Sequence, residues 1–174
     1  HMVKSIEVTL IPAFRKVGEP TNESFDHSGE GLIHKLAQLQ NPGISNRHLT
    51  KQFESITQFL REVTTNSTTR LEIPYERNEI LVEIDGKILP LESLGTGIHE
   101  VVILAAAATL LENQVVCLEE PELHLHPILQ KKLIRYLKDK TNNQYFISTH
   151  SAHLLDTPEA SIFHVWLEDG ETKV

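Results

Sequence analysis

Two short apolar runs, separated by an amphipathic helix, do most to limit what this chain can fold into. Residues 115–118 read Val-Val-Cys-Leu, and residues 145–147 read Tyr-Phe-Ile. Unbroken runs of this length suit strands covered on both faces, as in a parallel sheet. Between them, residues 127–138 predict a helix. Pro127 suits its first turn, and Lys131, Lys132, Arg135 and Lys138 sit toward its C-terminal half, where cations complement the helix dipole. Strand, helix, strand is a crossover unit, which makes the two strands parallel and the connection right-handed. The class this predicts is α/β.

The remaining segments dress that unit. In residues 3–15, Ile6, Val8 and Leu10 alternate with Ser5, Glu7 and Thr9, the pattern of a half-buried strand that Pro12 ends. Residues 17–28 read as a loop. Leu32, Ile33, Leu36 and Leu39 predict a helix over 30–40, stopped by Asn41-Pro42-Gly43. Leu49, Phe53, Ile56, Leu60 and Val63 form the stripe of a second helix, with Asn46 as its N-cap. Residues 70–91 read as β, turning at Asp85-Gly86, a pair suited to the positive φ of a primed hairpin turn. Leu94-Gly95-Thr96-Gly97 then opens a helix over 98–112 that is apolar around most of its circumference and so is buried on several sides. Residues 162–174 predict a closing hairpin around Asp169-Gly170.

Composition removes several classes. A chain of 174 residues fits a single domain, 1–174. The formal charge of −8 does not advertise a broad nucleic-acid surface. One cysteine, Cys117, permits no internal disulfide, and the chain reads as intracellular, with a cytoplasmic setting expected. The longest apolar stretch, 101–111, is short of the ~20 residues that cross a bilayer, so no membrane partner is expected. His1-Met2 reads as a cloning remnant, which leaves the true start of the protein uncertain.

The chemistry concentrates at the ends of the two strands. Glu119 and Glu120 follow the first run directly, and ligands in an open parallel sheet bind beyond the carboxyl ends of its strands. Adjacent residues at a strand end point in different directions. One carboxylate can therefore hold a magnesium ion through its water shell while the other faces a reacting water. The competing reading is a solvated acidic loop. The second strand ends in Ser148-Thr149-His150-Ser151, which brings His150 to the same rim, where an imidazole can donate to a phosphate or orient a water. Gly95, Thr96 and Gly97 precede a helix, and such turns let backbone amides approach an anion.

Hairpin, glycine turn with helix, acidic strand, helix and histidine strand, in that order, resemble the C-terminal half of an ABC-type ATPase domain. The closest likeness is to the non-transporter OLD, SMC and RecF-like branch. The resemblance implies a partial P-loop NTPase fold with residues 27–65 as a helical insertion and residues 91–156 as the core. In that core 115–120 matches the Walker B motif, 121–127 (Pro-Glu-Leu-His-Leu-His-Pro) the D-loop, His150 the switch histidine, and 94–98 the signature position. Residues 11–15, Ile-Pro-Ala-Phe-Arg, also resemble a segment of OLD-type ATPases.

It further implies that Glu119 coordinates Mg2+ and that Glu120 is the general base. Gly95, Thr96 and Gly97 would contact ATP. No GxxxxGK[ST] occurs in the chain, so the phosphate cradle belongs to a missing N-terminal lobe. ATP, that lobe and a homodimer partner are the expected associates, with DNA reached through the full-length protein in repair or phage defence. Two rival readings remain: a metal-dependent hydrolase using Glu122, His124, His126, His150 and His153, and a non-catalytic interaction module with an exposed apolar face.

Overall fold

The computed structural model describes residues 7–18, 24–158 and 160–174. In chain order these form β1 (Val8–Ile11), α1 (Leu32–Gln40), a 3-10 stretch (Ile44–Leu49) leading into α2 (Thr50–Thr64), β2 (Arg70–Glu72), β3 (Leu81–Ile84) and β4 (Lys87–Pro90). A 3-10 turn (Leu91–Leu94) leads into α3 (Thr96–Leu110), followed by β5 (Val115–Glu119), α4 (Pro127–Lys140), β6 (Gln144–Ser148), α5 (Ala152–Leu155), β7 (Trp166–Glu168) and β8 (Glu171–Lys173).

The central sheet has three parallel strands in the order β1-β5-β6. The crossover from β5 through α4 to β6 is the unit the sequence predicts. A second sheet, β2-β3-β4, is antiparallel, and β3 turns into β4 through Asp85 and Gly86 at φ 51° and 75°, the primed turn expected there. Asp169 and Gly170 turn the β7-β8 hairpin in the same way, at φ 50° and 81°.

α3 is the hub. Residues 100–109 are all buried, as an all-round apolar helix requires. Its Ala105, Ala107 and Ala108 share a core with Phe59 of α2, Leu133 and Tyr136 of α4, and Val116 and Leu118 of β5. On another side, Val102, Ile103 and Ala106 meet Leu36 of α1, Leu60 of α2 and Val82 of β3. α3 thus joins the two sheets through one continuous packing element.

Three expectations are corrected. Val8 and Leu10 do not face the core: they are 63% and 52% exposed, while Ile11 is 1% exposed. The alternation is real, but the covered face carries Ile11 and Thr9, whose hydroxyl donates to Gln114 Oε1 at 2.8 Å. A strand's periodicity gives two faces without saying which is covered, and a one-residue change of phase exchanges them. Ile6 lies outside the described residues.

Residues 115–118 are likewise covered on one face only: Val116 and Leu118 are buried and Val115 and Cys117 half-buried. Register sets Leu10, Cys117 and Phe146 in one row across the sheet, and Phe146 is 56% exposed. Asn46 is not an N-cap; it lies in the 3-10 stretch, its amide bonded to the Gly43 carbonyl at 2.8 Å, and α2 starts at Thr50 without a side-chain cap.

Candidate active site at the rim of the parallel sheet

The ladder between β5 and β6 extends past Glu119, because the Glu120 amide donates to the Ser148 carbonyl at 2.9 Å. Glu120 then turns out of the sheet with φ 39°, left-handed backbone that non-glycine residues seldom adopt. The turn separates the two carboxylates. Glu119 Oε2 accepts from the Ala13 amide at 3.2 Å, and its other oxygen has no partner among the described residues. Glu120 Oε1 lies 3.8 Å from His150 Nε2, with the imidazole 90% and the carboxylate 38% exposed. Acid and imidazole meet at one rim, open to solvent, at the C-terminal ends of neighbouring parallel strands.

Backbone contacts hold this pair in place. The His150 amide donates to Glu122 Oε1 at 2.7 Å, which ties the histidine loop to the segment after β5. Glu122 Oε2 is buried without a partner. Gln130 reinforces the tie from α4: its Nε2 donates to the Leu125 carbonyl at 2.9 Å and its Oε1 accepts from the Ser151 hydroxyl at 2.6 Å. Ser151 also caps α5, accepting from the His153 amide at 3.2 Å. His126 caps α4 through Nδ1, which accepts from the Ile128 amide at 3.4 Å.

Beneath the rim lies Arg15, its side chain 0% exposed. Nε donates to Glu100 Oε2 at 2.8 Å, Nη1 to the carbonyls of Pro12 at 2.5 Å and Glu119 at 3.0 Å, and Nη2 to the Glu120 carbonyl at 3.3 Å. The sequence reading gave Arg15, Glu100 and Gln130 no role. Glu100 carries a usable signal, because a carboxylate on a helix that is otherwise apolar on all sides needs a buried cation. Glu122 stands in the sequence within the D-loop match and among the rival metal ligands, neither of which points to its bond with the His150 amide.

The glycine turn sits nearby. Gly95 has φ 89° and ψ 155°, a conformation open essentially to glycine alone, and it starts α3 without a side-chain cap. A Cβ on Gly97 would stand 2.8 Å from the His124 carbonyl oxygen, so the first turn of α3 packs on the segment after β5. His99, one turn into α3, has its pKa lowered chiefly by burial, against the upward pull of Glu100 and Glu92.

The five residues of the metal-hydrolase reading do not assemble. His126 serves as a cap and Glu122 as an acceptor, and among the described residues no three His, Cys, Asp or Glu side chains come together as a ligand set.

A three-stranded parallel sheet with helices packed on it fits the P-loop NTPase class of folds. Within it, residues 12–155 match the AAA ATPase domain family, and the chain belongs to that family. A solved SMC ATPase structure, described in terms of ATP-driven dimerization and DNA-stimulated activation, superposes with a TM-score of 0.54 at 18% identity, over 73% of this chain and 86% of the other. That likeness is one of fold. An uncharacterized protein of Methanocaldococcus jannaschii is 24% identical over 116 residues, 64% of this chain. The chain spans about 14% of the length of that curated relative. No helix among the described residues is long and apolar enough to cross a membrane.

Proposed function

We propose that this chain is the C-terminal, hydrolytic half of an ABC-type ATPase domain of the OLD, SMC and RecF-like branch, with residues 91–156 as its core and 27–65 as a helical insertion. The observation that carries the reading is the approach of Glu120 and His150, 3.8 Å apart at the ends of adjacent parallel strands. A carboxylate there accepts the proton of an attacking water, and the exposed imidazole beside it meets the terminal phosphate. The glycine turn 95–97 faces the nucleotide across a homodimer interface.

Glu119 fits a magnesium site: its spare oxygen is a hard donor, and its Ala13 bond fixes the carboxylate without consuming both oxygens. When bound, the ion neutralises charge on the phosphates. What this chain does not offer is a phosphate cradle, and Arg15, the buried cation beneath the rim, spends four of its five N–H groups on protein acceptors.

The bare sheet face supports a missing lobe. Parallel sheets are covered on both faces, yet Val8, Leu10 and Phe146 stand exposed on one side of this one. The lobe that covers them supplies the P-loop. The exposed face the interaction-module reading anticipated is present, and the same lobe accounts for it. DNA repair or phage defence is the setting this branch suggests.

The test is Glu120→Gln in the full-length protein. It should keep ATP bound through gel filtration while turnover stops, because the amide binds like the acid but takes no proton. Turnover at the wild-type rate would defeat the reading.

A further inference from the structure

We propose that Arg15 is a positioning residue for the acid pair, clamping the peptide that joins Glu119 to Glu120. The inference rests on the hydrolytic reading of those carboxylates and adds how their geometry is set. A buried guanidinium needs one counter-charge, and Glu100 provides it at 2.8 Å. Three of the four remaining N–H groups go to carbonyls, two of them on the consecutive residues Glu119 and Glu120. The fork of Arg suits this, since its donors diverge in a fixed plane, whereas an ammonium is a compact point charge.

The clamp acts where the backbone needs it. Left-handed φ at a non-glycine residue is strained and persists only when the surroundings hold it. The Glu120 carbonyl is held by Arg15 Nη2 and its amide by the Ser148 carbonyl. The same short segment also grips the Glu119 side chain through the Ala13 amide. Residues 12–15 therefore hold the backbone of both acids and the carboxylate of one. Because Glu100 lies on α3, the seating of the helix that begins at the glycine turn bears on the acids through Arg15.

The experiment measures kcat and KM for ATP in the full-length protein for wild type, Glu120→Gln, Arg15→Lys and the double variant Arg15→Met/Glu100→Met. The double variant removes both charges together, a change that often leaves a buried pair's stability unharmed. The inference expects kcat to fall ~10–100-fold in both Arg15 variants, the loss typical of a residue that orients a ligand. KM should stay within about twofold, since nucleotide binding is not what the clamp serves. Full turnover by Glu120→Gln overturns the hydrolytic reading itself. A dead Glu120→Gln alongside wild-type kcat in both Arg15 variants overturns the clamp alone.

Hydrogen exchange on the 174-residue chain separates positioning from bulk stability. Arg15→Lys should speed exchange at the Glu120 amide while Val116 and Leu118 stay protected. Faster exchange throughout β5 and β6, or failure of this variant to fold, overturns the inference and leaves Arg15 a core-stability residue.

Discussion

Leu10 and Leu118 lie on neighbouring strands of one sheet and point to opposite sides of it. Leu10→Ala and Leu118→Ala remove the same atoms, so any difference between them measures the cover on each face. Leu118 is 2% exposed and packs among α3 and α4. Truncating it leaves a cavity, and such changes cost ~2–5 kcal/mol. Leu10 is 52% exposed, so about half of its surface has no burial to lose and no closed cavity forms. Its truncation should cost ~1 kcal/mol or less. For a chain of this length ~1 kcal/mol moves the melting temperature by ~2–4 °C. Leu118→Ala should therefore melt roughly 4–20 °C below wild type, and Leu10→Ala within about 4 °C of it. Urea unfolding of the 174-residue chain at low concentration gives the same comparison in free energy. If the proposed further lobe covers Leu10 in a longer form of the protein, the two costs should converge there. Equal costs in the isolated chain would refute the reasoning, because the face described as bare would already be covered.

Two further outcomes follow from groups away from the rim. Tyr136 is buried, stacks on Phe59 with ring centroids 4.2 Å apart, and shares a 2.5 Å hydrogen bond with the Thr109 hydroxyl. Tyr136→Phe should cost ~1–3 kcal/mol by stranding Thr109, and Tyr136→Phe/Thr109→Val should recover much of that loss in urea unfolding. Burial pushes the Tyr136 phenol up to about 12, so absorbance titration should show it ionising well above the usual phenol range or on unfolding. His99 has a folded pKa depressed by burial, so the unfolded chain binds its proton more readily. Stability from this group is complete above its unfolded pKa of about 6.5 and is lost as pH falls through the folded value. His99→Gln should flatten the decline between about pH 7.5 and 5.5; an unchanged slope would remove His99 from the account, leaving His27, also depressed by burial, to explain it.

The crossover unit and the meeting of Glu120 with His150 were readable because both follow from local pattern plus one topological rule. Short apolar runs mark the strands, the intervening helix makes them parallel, and whatever follows each strand must share an edge. The assignment of faces in β1 was not readable. Val8 and Leu10 are as apolar as Ile11, and the choice between the two sides depends on what packs against them. Asn46 shows the limit of capping rules, since a favourable residue near a helix start carries no guarantee when a 3-10 turn intervenes. Arg15 and Glu122 were missed as holders of the site for another reason. Their partners lie 104 and 28 residues away, and no local spacing encodes a carbonyl that becomes an acceptor only after the chain has closed.

The positive φ of Glu120 sets durability against chemistry at a single position. Glycine there would relax the peptide and make a sturdier molecule, yet it would erase the carboxylate proposed to take a proton from water. Selection for heat tolerance alone would therefore favour discarding this side chain, and a library screened only for survival on heating should be expected to enrich variants that lack this carboxylate at this codon.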